Sequence, residues 1–311
     1  MHAAAINLRG GVSPRNTRLR GQSIIEYVLI AAVIGLVIVF AGPGVAGAIR
    51  NQFSQVTNTV DSGTEGDNFI SAEEKAYKEA MKTVVNKEAK DWTLDEQKAA
   101  ATDIAKNGTS SVVYAKAKAA MDAGTKFSIK LTNGMALEYR IVGINHDDLA
   151  DGSGKAGLTF EAVNGAFGEQ CINSTDRGDG VSWGDAELRQ RMNSGDLWSL
   201  LPNDFAGMTQ TVSKLNYYAK VVFPPNVETM NLNVFILSEN EIYGGDGQYE
   251  YFSGKSVSQT NYANASLGFD RWTRTPSPID GSRHSRVLSN GSPGNCQRDT
   301  SEYYVCPAWC F

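Results

Sequence analysis

The chain has 311 residues, with 29 lysines and arginines against 34 aspartates and glutamates and a formal net charge of −5. A mildly acidic balance gives no electrostatic footprint for nucleic acid, so DNA and RNA are excluded as expected partners. With 41% hydrophobic and 20% charged residues, the chain carries enough apolar material for one or two globular domains.

Arg9, Arg15, Arg18 and Arg20 precede the stretch GQSIIEYVLIAAVIGLVIVFAGPGVAGAIR at 21–50, and no charge interrupts it from Val28 to Ile49. About 22 residues rising ~1.5 Å each make a helix of ~33 Å, enough to cross the hydrocarbon core of a bilayer. The arginines place the N-terminus in the cytoplasm and everything after Arg50 outside. Glu26, at the edge of the apolar run, is costly there unless it is paired. A basic leader closing on Gly21, then Gln22, with Glu26 fifth in the helix and Tyr27 beside it, resembles the Flp (type IVb, tight-adherence) prepilins. The resemblance implies cleavage after Gly21 by a prepilin peptidase. It also implies that Glu26 pairs with the N-terminal amine of a neighbouring pilin subunit in a filament. The physical chemistry is consistent, since a buried carboxylate needs a cation and cleavage creates one on Gln22. Two other readings of the segment stay open: an uncleaved membrane anchor, and a secretory signal cut among the small residues after Phe40.

Gly42-Pro43-Gly44 breaks this helix, and Ile49, Phe53, Val56 and Val60 resume it at helical spacing. The boundaries expected are therefore a leader at 1–21 and a pilin-like helix at 22–60. The polar run 61–67 is a linker, and the capping patterns Ser71/Glu74 and Thr93/Glu96 open two helices. Residues 61–123 read as a linker and short helical stalk. An Flp-like pilin would end near residue 60, so the longer chain points to a minor or tip subunit.

From Phe127 the period becomes two: FSIKLTNGMALEYRIVGIN reads as a hairpin turning on Asn133-Gly134. Short strands are expected at 158–160, 219–222, 233–237, 269–274, 286–288 and 303–308. Between them Trp183 to Leu201 reads as a helix burying Leu188, Met192 and Leu197. The fold class expected is α+β: a long N-terminal helix, a helical stalk, and a mixed β-rich extracellular head at 124–311. The ordered segments INHDDLADGSGKAGLTFEAV, WGDAELRQRMN, VFILSENEIYG, RWTRTPS and YYVCPAWC resemble a bacterial surface domain of unknown function, numbered 6273. The Trp272-Thr273-Arg274-Thr275-Pro276 strand and the closing strand are also similar to C-type-lectin-like and sulfatase-modifying folds, by analogy alone.

Cys171, Cys296, Cys306 and Cys310 all lie beyond the helix, where disulfides persist, and are candidates for bridges or buried thiols. No histidine completes a zinc set around Cys306 and Cys310. His146 beside Asp147 and Asp148 reads as a polar turn, and Ser182 in Gly180-Val181-Ser182-Trp183-Gly184 as a helix cap rather than a nucleophile. Asp147, Asp148, Asp151, Asp176 and Asp179 supply oxygens of the kind calcium takes but have no EF-hand spacing; no cofactor is expected, and calcium stays open as the alternative. Arg189, Arg191, Arg271 and Arg274 are expected to pair with the domain's own carboxylates. The tyrosine- and arginine-bearing loops from Tyr243 to Arg298, with Tyr249, Tyr251, Arg271, Arg274 and Arg283, are also the candidate contact for a host or cell-surface ligand. The expectation is a non-enzymatic adhesin on the membrane or pilus. An anchored surface protein outside any filament and a surface enzyme are the alternatives.

Overall fold

The computed structural model describes residues 71–178, 182–217, 227–245, 247–253 and 262–311. The leader, Gly21, Gln22, Glu26, Tyr27, the pilin-like helix, the expected strand at 219–222 and Asp179 lie outside the described residues. No helix among the described residues is long and apolar enough to cross a membrane.

Among the described residues three helices come first. Helix α1 (Ala72–Val84) has Glu73 and Glu74 in its first turn and Lys82 in its last, complementing the helix dipole. Helix α2 (Leu94–Asn107) starts from a complete capping box: Thr93 Oγ1 accepts from the Glu96 N–H, and the Glu96 side chain accepts from the Thr93 N–H. Its alanines 99, 100 and 101 with Ile104 make the buried face. Helix α3 (Tyr114–Ala123) ends at Gly124, whose φ of 63° lies in the left-handed region that glycine adopts freely. Replacing Thr93 by alanine is expected to cost about 1 kcal/mol, lowering the melting temperature by about 2–4 °C. A thermal scan that shows no change would remove the capping box from the balance of forces.

The hairpin is β1 (Lys126–Lys130) with β2 (Ala136–Ile144), in the register Lys130↔Ala136. Its loop is longer than the expected two-residue turn. Leu131 N–H bonds the Met135 carbonyl, and Gly134, at φ 88°, takes the left-handed place after the turn. After β3 (Leu158–Ala162) and β4 (Glu169–Gln170) come helix α4 (Glu187–Ser194) and helix α5 (Asn203–Met208). The expected helix from Trp183 to Leu201 is divided into a one-turn segment at Trp183–Asp185, α4, and another single turn at Trp198–Leu200. Leu188, Met192 and Leu197 are nonetheless buried as expected. The remaining elements are β5 (Val212–Tyr217), β6 (Val227–Leu232), β7 (Val234–Phe235), α6 (Glu239–Tyr243) and β8 (Arg271–Pro276). Four further strands close the chain: β9 (Arg283–Val287), β10 (Pro293–Arg298), β11 (Tyr303–Tyr304) and β12 (Ala308–Cys310).

The described strands form two five-stranded sheets, in the orders β1-β2-β3-β12-β7 and β10-β9-β8-β11-β4, and a two-stranded sheet β5-β6. This is a mixed fold of β-rich sheets and a few helices. The C-terminal strand β12 sits inside the first sheet, antiparallel to both β3 and β7. Its Trp309 packs with Tyr139, Phe160 and Phe205 at ring-centroid distances of 5.0, 5.9 and 4.9 Å.

The expected stalk is corrected by this packing: Ala72–Phe311 forms one compact unit. Helix α3 lies on β2 and α2 on β3. Tyr139 on β2 donates to the Gln97 side chain of α2 at 3.0 Å in the buried interior. A Cβ on Gly157 would sit 1.8 Å from the Ala101 carbonyl oxygen, so helix and sheet approach as closely as backbone allows. The alanine face of α2 is a packing face for the sheet, which is why no boundary falls at 123.

Candidate functional site: a buried charge cluster beside a polar cavity

Asn145 leaves β2 with a φ of 51°, a conformation asparagine tolerates, and the chain turns so that Asp147 enters the interior. Strand β5 presents Val212, Lys214 and Asn216 inward at its period of two, so the Lys214 ammonium is carried to the Asp147 carboxylate. Helix α6 begins with a second capping box. Ser238 Oγ accepts the Glu241 N–H at 3.2 Å, and Glu241 Oε2 accepts the Ser238 N–H at 2.9 Å. The same Glu241 carboxylate takes Lys214 Nζ at 3.0 Å and Arg274 Nη2 at 2.7 Å, while Arg274 Nη1 holds its other oxygen. Two carboxylates and two cations are thus joined in a largely buried group, with no net charge left over.

Neutral donors complete the cluster. Tyr249 Oη donates to Asp147 at 2.9 Å and Thr159 Oγ1 donates to it at 2.5 Å, with Cys310 Sγ at 3.4 Å. The ammonium also lies 4.2 Å from the Phe235 ring centroid and 4.8 Å from that of Tyr249. Gly143 on β2 makes room: a Cβ there would be 2.7 Å from the Tyr249 ring. One side of the cluster opens on a cavity of about 170 Å³, which His146, Asp148, Ser213 and Asn240 also line. His146 Nδ1 is 3.2 Å from Glu250 and its Nε2 3.0 Å from the Gly247 carbonyl oxygen.

Burial alone would push the Asp147 and Glu241 carboxyls up. The Lys214 ammonium at Asp147, and the Arg274 guanidinium with Lys214 at Glu241, outweigh it and hold both below the usual carboxylate range. Burial would lower Lys214, but Asp147 and Glu241 raise it. Burial and then the neighbouring carboxylates push the Tyr249 hydroxyl well up; burial and then Asp147 do the same to the Cys310 thiol. On the helical side, burial raises Glu96, yet Lys87, Thr83 and the Thr93 N–H bring it down to about 2. Each of these carboxyls has a folded-state pKa below its unfolded value. Their stabilisation is fully present above the unfolded range near pH 4 and is lost as pH falls through the folded values. Through these carboxyls the melting temperature is expected to fall steadily as pH drops from about 5 towards pH 2. A profile that is level down to pH 3 would contradict this accounting.

Four of the five residues expected on a ligand surface are corrected to the interior. Tyr249, Tyr251, Arg271 and Arg274 are 0, 8, 2 and 4% exposed. Each is consumed by an internal partner. Arg140 Nη2 and Arg271 Nη2 share Glu161 at 2.9 and 3.4 Å, and Arg140 Nη1 reaches the Tyr251 hydroxyl at 3.0 Å. The expectation that Arg271 and Arg274 pair with the unit's own carboxylates therefore holds, and it holds for Arg191 with Asp196. Arg189 instead donates to the Gly184 carbonyl. Arg283 is half-exposed and bonds Asp280 at 2.6 Å.

Of the two readings open for the cysteines, bridges or buried thiols, the structure has four free thiols, of which Cys306 and Cys310 are buried. Burial raises the Cys306 thiol to about 12 and also raises that of Cys296. Ser182 acts as a cap, accepting the Gly184 N–H at 3.1 Å. His284 bonds Asp299 at 2.8 Å in a separate buried group with Asn173. The candidate calcium carboxylates are dispersed: Asp147 is in the cluster, Asp148 on Lys155, Asp151 in its own turn with Ser153, and Asp176 on Arg298.

Lys214 and Glu241 were not singled out in the sequence. The capping pattern Ser238/Glu241 was readable, as was a lysine at an inward position of an alternating strand. Neither signal names its partner. Comparison with protein-family models, with curated proteins and with solved structures found no match to this chain.

Proposed function

We propose that this chain is a cell-surface subunit, held or polymerised through its N-terminal helix, that displays the Ala72–Phe311 unit as a binding module. The observation that carries the reading is the juxtaposition of Gly21, Glu26 and the uncharged run Val28–Ile49 behind a basic leader. Its partners would be the membrane, a prepilin peptidase, other pilin subunits and a host or cell-surface ligand, with the C-terminal unit outside the cell. The pairing of its buried ionisable groups supports a non-enzymatic role, since Ser182, His284 and the clustered carboxylates are each held by structural partners. A C-type-lectin-like arrangement within this proposal rests on the closing strand lying beside β3. The ligand surface is sought away from the buried tyrosines and arginines, around exposed apolar residues such as Leu215 or Ile279.

The test is the N-terminal residue of protein recovered from cells. Gln22 is expected, with copurification in a pilus fraction, and Gly21→Trp is expected to leave only the membrane-bound precursor. An intact Met1 on filament-associated protein would overturn the pilin reading, and Gly21→Trp protein that reaches the surface unchanged would favour a plain anchor.

A further inference from the structure

We infer that Lys214 and Asp147 are the two halves of an intramolecular isopeptide cross-link, formed without any cofactor, with Glu241 as its general base. The geometry contains each element such a reaction needs. The amine and the carboxyl are in direct contact, and both are buried. Proton transfer from Lys214 to Asp147 turns the ion pair into a neutral amine facing a carboxylic acid with no change in net charge; the surrounding charges hold the ion pair as the major form, so the neutral pair is the minor species that reacts and joining is slow. Phe235 and Tyr249 wall the site on its aromatic side.

The step balances internally. Lys214 Nζ attacks Cγ of protonated Asp147 and a C–N bond forms. The developing oxyanion lies against the hydroxyls of Tyr249 and Thr159, which already donate to this carboxyl at 2.9 and 2.5 Å. Glu241, 3.0 Å from Nζ, takes the proton shed by nitrogen and returns it to the departing hydroxyl. The C–O bond breaks, one water leaves through the adjoining cavity, and a secondary amide remains. Arg274 stays paired with Glu241, so removing one positive and one negative charge leaves the pocket neutral. The amide would fasten β5, and with it the two-stranded β5-β6 sheet, to the segment after β2. The noncovalent ties there include the Leu149↔Val212 bridge and the Ser213 N–H to Asp148 carbonyl bond. The inference does not depend on where the chain is displayed.

Tryptic digestion of the full chain, analysed by mass spectrometry after prolonged native incubation at neutral pH, tests the bond. An amide on Lys214 blocks cleavage there, so peptide 141–155 is expected joined to peptide 192–220, one water lighter than their sum. Recovery of separate peptides ending at Lys214 and containing unmodified Asp147 would overturn the proposal. Lys214→Arg keeps the cation without the nucleophilic amine and is expected to show no joined species; a joined species in that variant would refute the assignment. Glu241→Gln is expected to slow joining at least tenfold, and joining at the wild-type rate would remove Glu241 as the base.

Discussion

A chain beginning at Gly124 is expected to remain unfolded or to aggregate, whereas one beginning at Ser71 is expected to melt cooperatively. The helices that the shorter chain lacks carry Ala100, Ala101, Ile104, Ala117 and Met121, with Val113 at the start of the third, all buried in the same core as β2 and β3. Deleting them uncovers apolar surface at about 25 cal/mol per Å², and burying a sizeable face of the sheet is worth more than the few kcal/mol by which a domain is stable. A milder probe of the same interface is Gly157→Ala, which drives a methyl into the Ala101 carbonyl of α2. Overpacking against backbone that cannot rotate away is expected to cost about 3 kcal/mol or more. Circular dichroism melts of both truncations and of Gly157→Ala would check the interface. A cooperative transition in the Gly124 truncation would show that the helices are an accessory.

Arg274→Ala is expected to be strongly destabilising, by about 3–5 kcal/mol, because it leaves Glu241 buried with one cation where two had balanced two carboxylates. In a unit of this size that corresponds to a fall of about 10 °C in melting temperature. Arg283→Ala, which removes a half-exposed pair with Asp280, is expected to change stability by about 0.5 kcal/mol or less. The two variants separate structural from recognition roles among residues of one type in one stretch of chain. Equal melting temperatures for the two would mean that the buried quartet is not what its geometry indicates. Thermal denaturation at pH 7, with each variant against the unchanged protein, is sufficient.

Local features were legible wherever the physics is local. The capping box of Thr93 and Glu96 is closed within three residues and was read from spacing alone. The hairpin around Gly134 was read from its period and its turn residues, and only its loop length differed, because the loop is closed by the Leu131–Met135 pair. Leu188 and Met192 were placed on a buried face because four residues make about one helical turn.

Residue order alone is enough to place the uncharged run with its basic leader, the succession of helices before strands, and the residues that begin and end several elements. Long-range packing is what brings the helices at 72–123 into the β-rich core and turns Tyr249, Tyr251, Arg271 and Arg274 inward. The reason is the sequence distance over which these partners act. Asp147 and Lys214 are 67 positions apart, and Glu241 and Arg274 are 33 apart. A tyrosine or arginine in a polar stretch has the same composition whether a carboxylate waits behind it or solvent lies in front. Sheet order and strand register decide between those two cases, because they fix which distant carboxylate is brought within hydrogen-bond reach.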